Sequence, residues 1–235
     1  MKVHHFGVLI PSTNTTVETE LSRLPARYQA HYARVQTSTP GQPFAAGRID
    51  DVDYQSKLLG TAKVEMVILM QTSASVFTDD YDAVVTRRMS TAAGVPSITS
   101  AQSIGKALHA LAVKSVAIVS PYSEEVNALA RRYFSTQHGL EIAAIEGFAA
   151  KDSYAIGKLG PENARDAFLR IDRPEIEAFI VPGANFPTMA SIAEWEREMG
   201  KPVISSTQAA VWAMARALGG EAIRGYGRLL EELPA

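Results

Sequence analysis

Short, uninterrupted apolar runs alternate with amphipathic stretches from one end of this chain to the other. Gly7-Val8-Leu9-Ile10, Met66-Val67-Ile68-Leu69-Met70, Val116-Ala117-Ile118-Val119 and Ala178-Phe179-Ile180-Val181 are continuous apolar segments, the pattern of strands buried on both faces. Residues 50–59, 80–93, 123–133, 161–169, 188–199 and 207–218 place apolar side chains three and four apart, which predicts helices. Strands and helices in this order predict βαβ units and parallel sheets. Pro161-Glu162-Asn163 sets proline and an acid at a helix start, while Gly139, Gly200 and Gly219 fall where C-terminal caps belong.

One segment occurs twice. Gly94-Val95-Pro96-Ser97-Ile98-Thr99-Ser100-Ala101-Gln102 returns as Gly200-Lys201-Pro202-Val203-Ile204-Ser205-Ser206-Thr207-Gln208, with Gly, Pro, Ile, Ser and Gln in register and Thr99 matched by Ser205. A repeat spaced by nearly half the chain predicts two related α/β halves. They divide near residues 112–114, giving residues 1–112 and 113–218, with 219–235 packing back onto the first half or onto a second subunit. Two facing halves make a cleft, where small ligands bind.

Composition narrows the partners. A net charge of −2 over 235 residues lacks the basic footprint of a nucleic-acid-binding protein. No apolar run approaches the roughly 18 residues of a membrane span, and Met1-Lys2-Val3-His4-His5 lacks the apolar core of a signal peptide. The expectation is a cytoplasmic protein with neither nucleic acid nor membrane as partner. Cysteine is absent, which excludes disulfides, thiolate metal sites and a cysteine nucleophile.

Ligands of open parallel sheets gather at the carboxyl ends of the strands. Four loops leave such ends: residues 11–16 (PSTNTT), 71–75 (QTSAS), 120–123 (SPYS) and 182–188 (PGANFPT). Their hydroxyls, side-chain amides and helix N-terminal N–H groups suit carboxylate oxygens. The same residue types also cap helices, the plainer reading of any single loop. No glycine-rich dinucleotide loop, phosphate-binding loop, HExxH or GxSxG occurs. His4 and His5 lie at the wrong end of the first strand, His109 falls within the Ala-rich helix and His138 near a helix end, so structural or surface roles suit the histidines better than metal binding. Asp79-Asp80 fit a helix cap better than a catalytic acid.

At these loops the chain resembles the aspartate/glutamate racemase superfamily, in the branch of maleate cis-trans isomerase and arylmalonate decarboxylase. The likeness is most specific at residues 8–18 (VLIPSTNTTVE), 121–127 (PYSEEVN), 185–188 (NFPT), 201–206 (KPVISS) and 225–229 (GYGRL). It implies two pseudo-symmetric flavodoxin-like, Rossmann-like halves with parallel sheets, an interdomain cleft holding a small carboxylic or dicarboxylic acid, no cofactor and no metal, and a homo-oligomer. Family members act through one or two cysteines, which match Gln71 and Gly183 here. Neither can titrate, which disfavours a two-base racemase and a covalent isomerase. Thr72, Ser73 and Tyr122 match donors that hold a carboxylate and stabilise an enediolate. The N–H groups of Gly183 and Ala184 match further donors, Asn14 matches a carboxylate-binding position, and Gln71 and Asn185 complete the expected binding set. Tyr122 is the leading proton relay, ahead of Asp79, Asp80, Glu124 and Tyr154. The expected activity is that of a decarboxylase or lyase working through an enolate-like intermediate; the alternatives are a non-catalytic small-acid sensor, or an isomerase or hydrolase using another acid.

Overall fold

The computed structural model describes residues 2–36, 46 and 48–233. The first half contains β1 (His4–Pro11), α1 (Val17–Leu21), β2 (Tyr28–Val35), α2 (Ile49–Thr61), β3 (Val67–Leu69), α3 (Ala74–Phe77), α4 (Tyr81–Ala93), β4 (Ser97–Thr99) and α5 (Ser100–Ala110). The second contains β5 (Ser115–Ser120), α6 (Glu124–His138), β6 (Glu141–Gly147), α7 (Ser153–Ile156), α8 (Pro161–Ile171), β7 (Ala178–Val181), a 3-10 turn (Met189–Ser191), α9 (Ile192–Met199), β8 (Val203–Ser205) and α10 (Ser206–Ala217). A last short helix, α11 (Arg228–Glu232), follows. The two sheets have the orders β2-β1-β3-β4 and β6-β5-β7-β8, and every pairing is parallel. One topology used twice is the structural form of the sequence repeat, and the fold is the two-half α/β architecture with parallel sheets.

The four apolar runs become β1, β3, β5 and β7, the inner strands of each sheet. Their neighbours β2 and β6 escape the pattern because they are edge strands: Tyr28 and Val35 are buried at the ends of β2, but residues 29–34 are exposed or only part-buried, and Ile142 is the one buried residue of β6. The helix expected over residues 123–133 runs on to His138, where Gly139 ends it at φ 62°. Over residues 188–199 the chain instead makes the 3-10 turn, closed by Ser191 N–H on Thr188 O at 3.0 Å, before α9 begins.

The copies of the repeated segment form β4–α5 and β8–α10, an edge strand running into a helix in each half. Thr99 and Ser205 are the N-caps, their hydroxyl oxygens accepting from the amides of Gln102 (3.1 Å) and Gln208 (3.2 Å). In the first copy Gln102 returns a bond to Thr99 N at 3.2 Å, completing a capping box. In the second, Gln208 Nε2 reaches Tyr226 O at 2.7 Å and ties the helix to the C-terminal segment. Helices α5 and α10 pack against each other, so the largest apolar core is continuous across both halves, from Val8 and Ile10 through Ile104 to Ile180 and Ile204. Leu229 and Leu230 of α11 join that core. Smaller cores cover the outer face of each sheet. Among the described residues no helix is long and apolar enough to cross a membrane.

Candidate active site

Because all strands of a sheet are parallel, the loops after β1, β3, β5 and β7 emerge at carboxyl ends. They meet in one small pocket between the halves, about 40 Å³ in volume, lined by Asn14, Gln71, Thr72, Ser73, Tyr122, Gly183, Ala184 and Asn185, together with Pro11, Thr13, Met70, Ser153 and Ile156. All eight residues singled out as site candidates in the sequence therefore share one cavity. Its size suits a small acid, not a nucleotide.

Each polar group has a distinct state. Asn14 is 2% exposed, and its Oδ1 accepts from Thr16 N and Val17 N, both at 3.0 Å. The carbonyl end is thus spent on the start of α1, which fixes the amide and leaves Nδ2, without a partner among the described residues, as the donor for the pocket. Ser73 Oγ likewise makes no hydrogen bond to a described residue, and the amides of Thr72, Ser73 and Ala184 donate to none. The expected donor at Gly183 is otherwise engaged: its N–H points to Ser206 Oγ at 3.0 Å. Asn185 is consumed by structure. Its Oδ1 accepts from Thr15 N at 2.8 Å, its Nδ2 donates to Ser153 O at 2.5 Å, and its carbonyl accepts from Thr16 Oγ1 at 2.8 Å. It staples the β1 loop of one half to α7 of the other, a positioning role held from within the pocket lining.

Gly183 has φ +98°, and a Cβ built there would stand 2.8 Å from Pro121 Cγ and 3.4 Å from the Tyr122 hydroxyl. A side chain at this position meets a rigid ring and a backbone conformation that L-residues avoid. This position of the β7 loop is therefore shaped for glycine.

Among the described residues that line the pocket, Tyr122 is the one titratable side chain. Burial pushes its phenol above the ordinary value, so at neutral pH it is a proton donor and not a base. The weaker relay candidates lie elsewhere. Asp79 is exposed and paired with Arg132 at 3.2 Å; Asp80 and Glu124 are exposed at the starts of α4 and α6; Tyr154 is 60% exposed beneath the Lys158 ammonium, 4.5 Å from its ring centre. None lines the pocket. Nor do the histidines: His4 faces Glu65 at 3.3 Å, His5 meets His31 at 2.9 Å, and His109 and His138 lie together at the ends of their helices.

Two buried carboxylates stand behind the loops, and neither emerges from the sequence reading. Glu20 Oε1 accepts the amides of Thr188 and Met189, each at 2.8 Å, holding the β7 loop against α1. Its Oε2 lies near the Thr207 hydroxyl without closing a hydrogen bond, and desolvation raises its pKa above the ordinary 4.5 despite these donors. Asp82 accepts from Ser75 at 2.7 Å, from Thr99 at 2.9 Å and from the Tyr133 hydroxyl, joining α3, β4 and α6. The signal for both is spacing: Glu20 lies on the buried face with Val17 and Leu21, and Asp82 with Val85 and Met89.

The family model for arylmalonate decarboxylase matches residues 6–230. A maleate isomerase of Pseudomonas putida is 25% identical over 97% of this chain and 98% of its own. An arylmalonate decarboxylase of Bordetella bronchiseptica is 28% identical over 78% of each chain. The crystal structure of a P. putida maleate isomerase, a Cys-to-Ala variant with maleate, superposes with a TM-score of 0.90 at 26% identity, covering 98% of both chains.

Proposed function

We propose that this chain, which belongs to the arylmalonate decarboxylase family, acts on a small carboxylic or dicarboxylic acid through an enolate-like intermediate, as a decarboxylase or lyase that needs no thiol and no cofactor. The relatives are small-acid enzymes by name, decarboxylase or isomerase. The observation that carries the finer reading is the donor set of the pocket: Asn14 Nδ2, Ser73 Oγ, the amides of Thr72, Ser73 and Ala184, and the phenol of Tyr122 surround a space with no carboxylate among its described lining residues. Such a cluster stabilises negative charge as it develops on an oxygen. When a malonate loses carbon dioxide, the electron pair of the broken C–C bond moves into the remaining carboxylate. The donors then hold the enediolate until its α-carbon takes a proton from water or from the Tyr122 hydroxyl, giving the monoacid. Covalent addition of a thiolate to maleate has no nucleophile here, since the chain has no cysteine.

That Tyr122 alone is titratable among the described lining residues favours a second reading, a protein that binds small acids without turning them over. Proton NMR of the protein with 2-substituted malonates and with maleate in D2O separates the two. The enzyme reading expects loss of carbon dioxide with one deuterium placed on the α-carbon. Saturable binding without turnover of any of these acids contradicts it and supports the second.

A further inference from the structure

Thr72 lies at the centre of a buried hydroxyl cluster drawn from both halves. Its Oγ1 is 2.8 Å from Ser100 Oγ and 2.7 Å from Ser206 Oγ, and the two serines are 0 and 1% exposed. They are the same residue of the duplicated segment, the first of α5 and the first of α10. Capping does not account for them, because Thr99 and Ser205 already hold the cap bonds.

Proton counting fixes the direction of these bonds. Three hydroxyls bring three protons to two O···O contacts, so one proton must leave the cluster. Ser206 Oγ already accepts from Gly183 N. Neither serine hydroxyl makes any other hydrogen bond to a described residue, and neither serine lines the pocket, whereas Thr72 does. A surplus proton on either serine would be buried with no acceptor, at the full desolvation penalty. On Thr72 it faces the ligand space.

We propose that Ser100 and Ser206 are positioning residues that both donate to Thr72 Oγ1, fill its two lone pairs and turn the Thr72 O–H outward as an obligate donor. Thr72 then greets an acceptor, such as a carboxylate or enediolate oxygen, and rejects a ligand hydroxyl or ammonium that needs an acceptor at that point. The chain of donors also polarises the outward proton, strengthening its bond to an anion. The duplicated segment thereby gains a purpose beyond capping: each half supplies one serine to a single threonine at their junction. The nature of the ligand rests on the small-acid reading; the orientation of the hydroxyls does not.

Neutron diffraction from perdeuterated crystals of the full chain reads the orientation directly. Deuterium on both serine oxygens should lie toward Thr72 Oγ1, with the Thr72 deuterium toward the pocket; a Thr72 deuterium directed at either serine overturns the proposal. Calorimetry with maleate adds a functional arm. Among described residues the Ser100 hydroxyl bonds to Thr72 alone, so Ser100→Ala should weaken maleate binding about fivefold, the worth of one ordinary hydrogen bond, and should have no effect once Thr72→Val is present. Equal losses in both backgrounds overturn it. A wild-type protein that binds neither maleate nor malonate defeats the small-acid reading alone, and the deuterium positions still decide this one.

Discussion

Ser73 offers the plainest test of a single residue, because its hydroxyl lines the pocket and is committed to nothing else among the described residues. Ser73→Ala should weaken binding of a small dicarboxylate by about 1.5–3 kcal/mol, the worth of a hydrogen bond to a charged group, with an unchanged Tm; calorimetry and thermal melts check both. Gly183→Cys tests the opposite situation. At φ +98°, with Pro121 Cγ 2.8 Å from the added Cβ, it should destabilise by roughly 1–3 kcal/mol, whereas Gln71→Cys, at a position with ordinary φ, should melt nearer the wild type. The pocket residues Asn14, Thr72, Ser73 and Tyr122 were legible in the sequence because hydroxyls and amides stand directly after apolar runs, where parallel strands deliver their loops. Which ones are free was not. Asn185 looks as available as Asn14 until Thr15 and Ser153 are seen to use both ends of its amide. Glu20 and Asp82 were missed because a carboxylate in a helix ordinarily marks a solvated face, and only the tertiary fold shows what covers it.

The elements that matter most to the site are short. Helix α1, the β7 loop and the 3-10 turn are joined by Glu20, whose carboxylate takes the Thr188 amide of the loop and the Met189 amide of the turn. Its folded pKa lies above the ordinary 4.5 through desolvation, so folding favours the protonated form. That contribution is fully present below about pH 4.5 and is lost as pH rises through the folded value. Glu20→Gln imitates the protonated state: it should raise Tm at neutral pH, and the difference from wild type should vanish on acidification toward pH 4.5. Melts of the two proteins across that range decide it, and a pH-independent difference would place the penalty elsewhere. The same scale explains the strands the sequence concealed. β3 and β7 lie inside their sheets and are wholly buried, hence apolar throughout. β2 and β6 are edges, with polar residues scattered along both faces, and carry no periodicity that a single sequence can reveal.

For the whole molecule, duplication determines both architecture and chemistry. Two sheets of identical order place α5 against α10, and the shared core lets neither half stand apart from the other. The same packing brings Ser100 and Ser206 to Thr72 and sets the loops of both halves around one pocket. On this reading the pocket, built from β1 and β3 loops on one side and β5 and β7 loops on the other, holds the carboxylate of a small acid. A crystal structure of the protein with malonate measures it most directly. One carboxylate should lie within about 2.7–3.2 Å of Asn14 Nδ2, Ser73 Oγ, Thr72 Oγ1 and the Ala184 amide, with the Tyr122 hydroxyl on the same ligand. Malonate bound outside this pocket, or bound here without touching groups from both halves, would contradict the account.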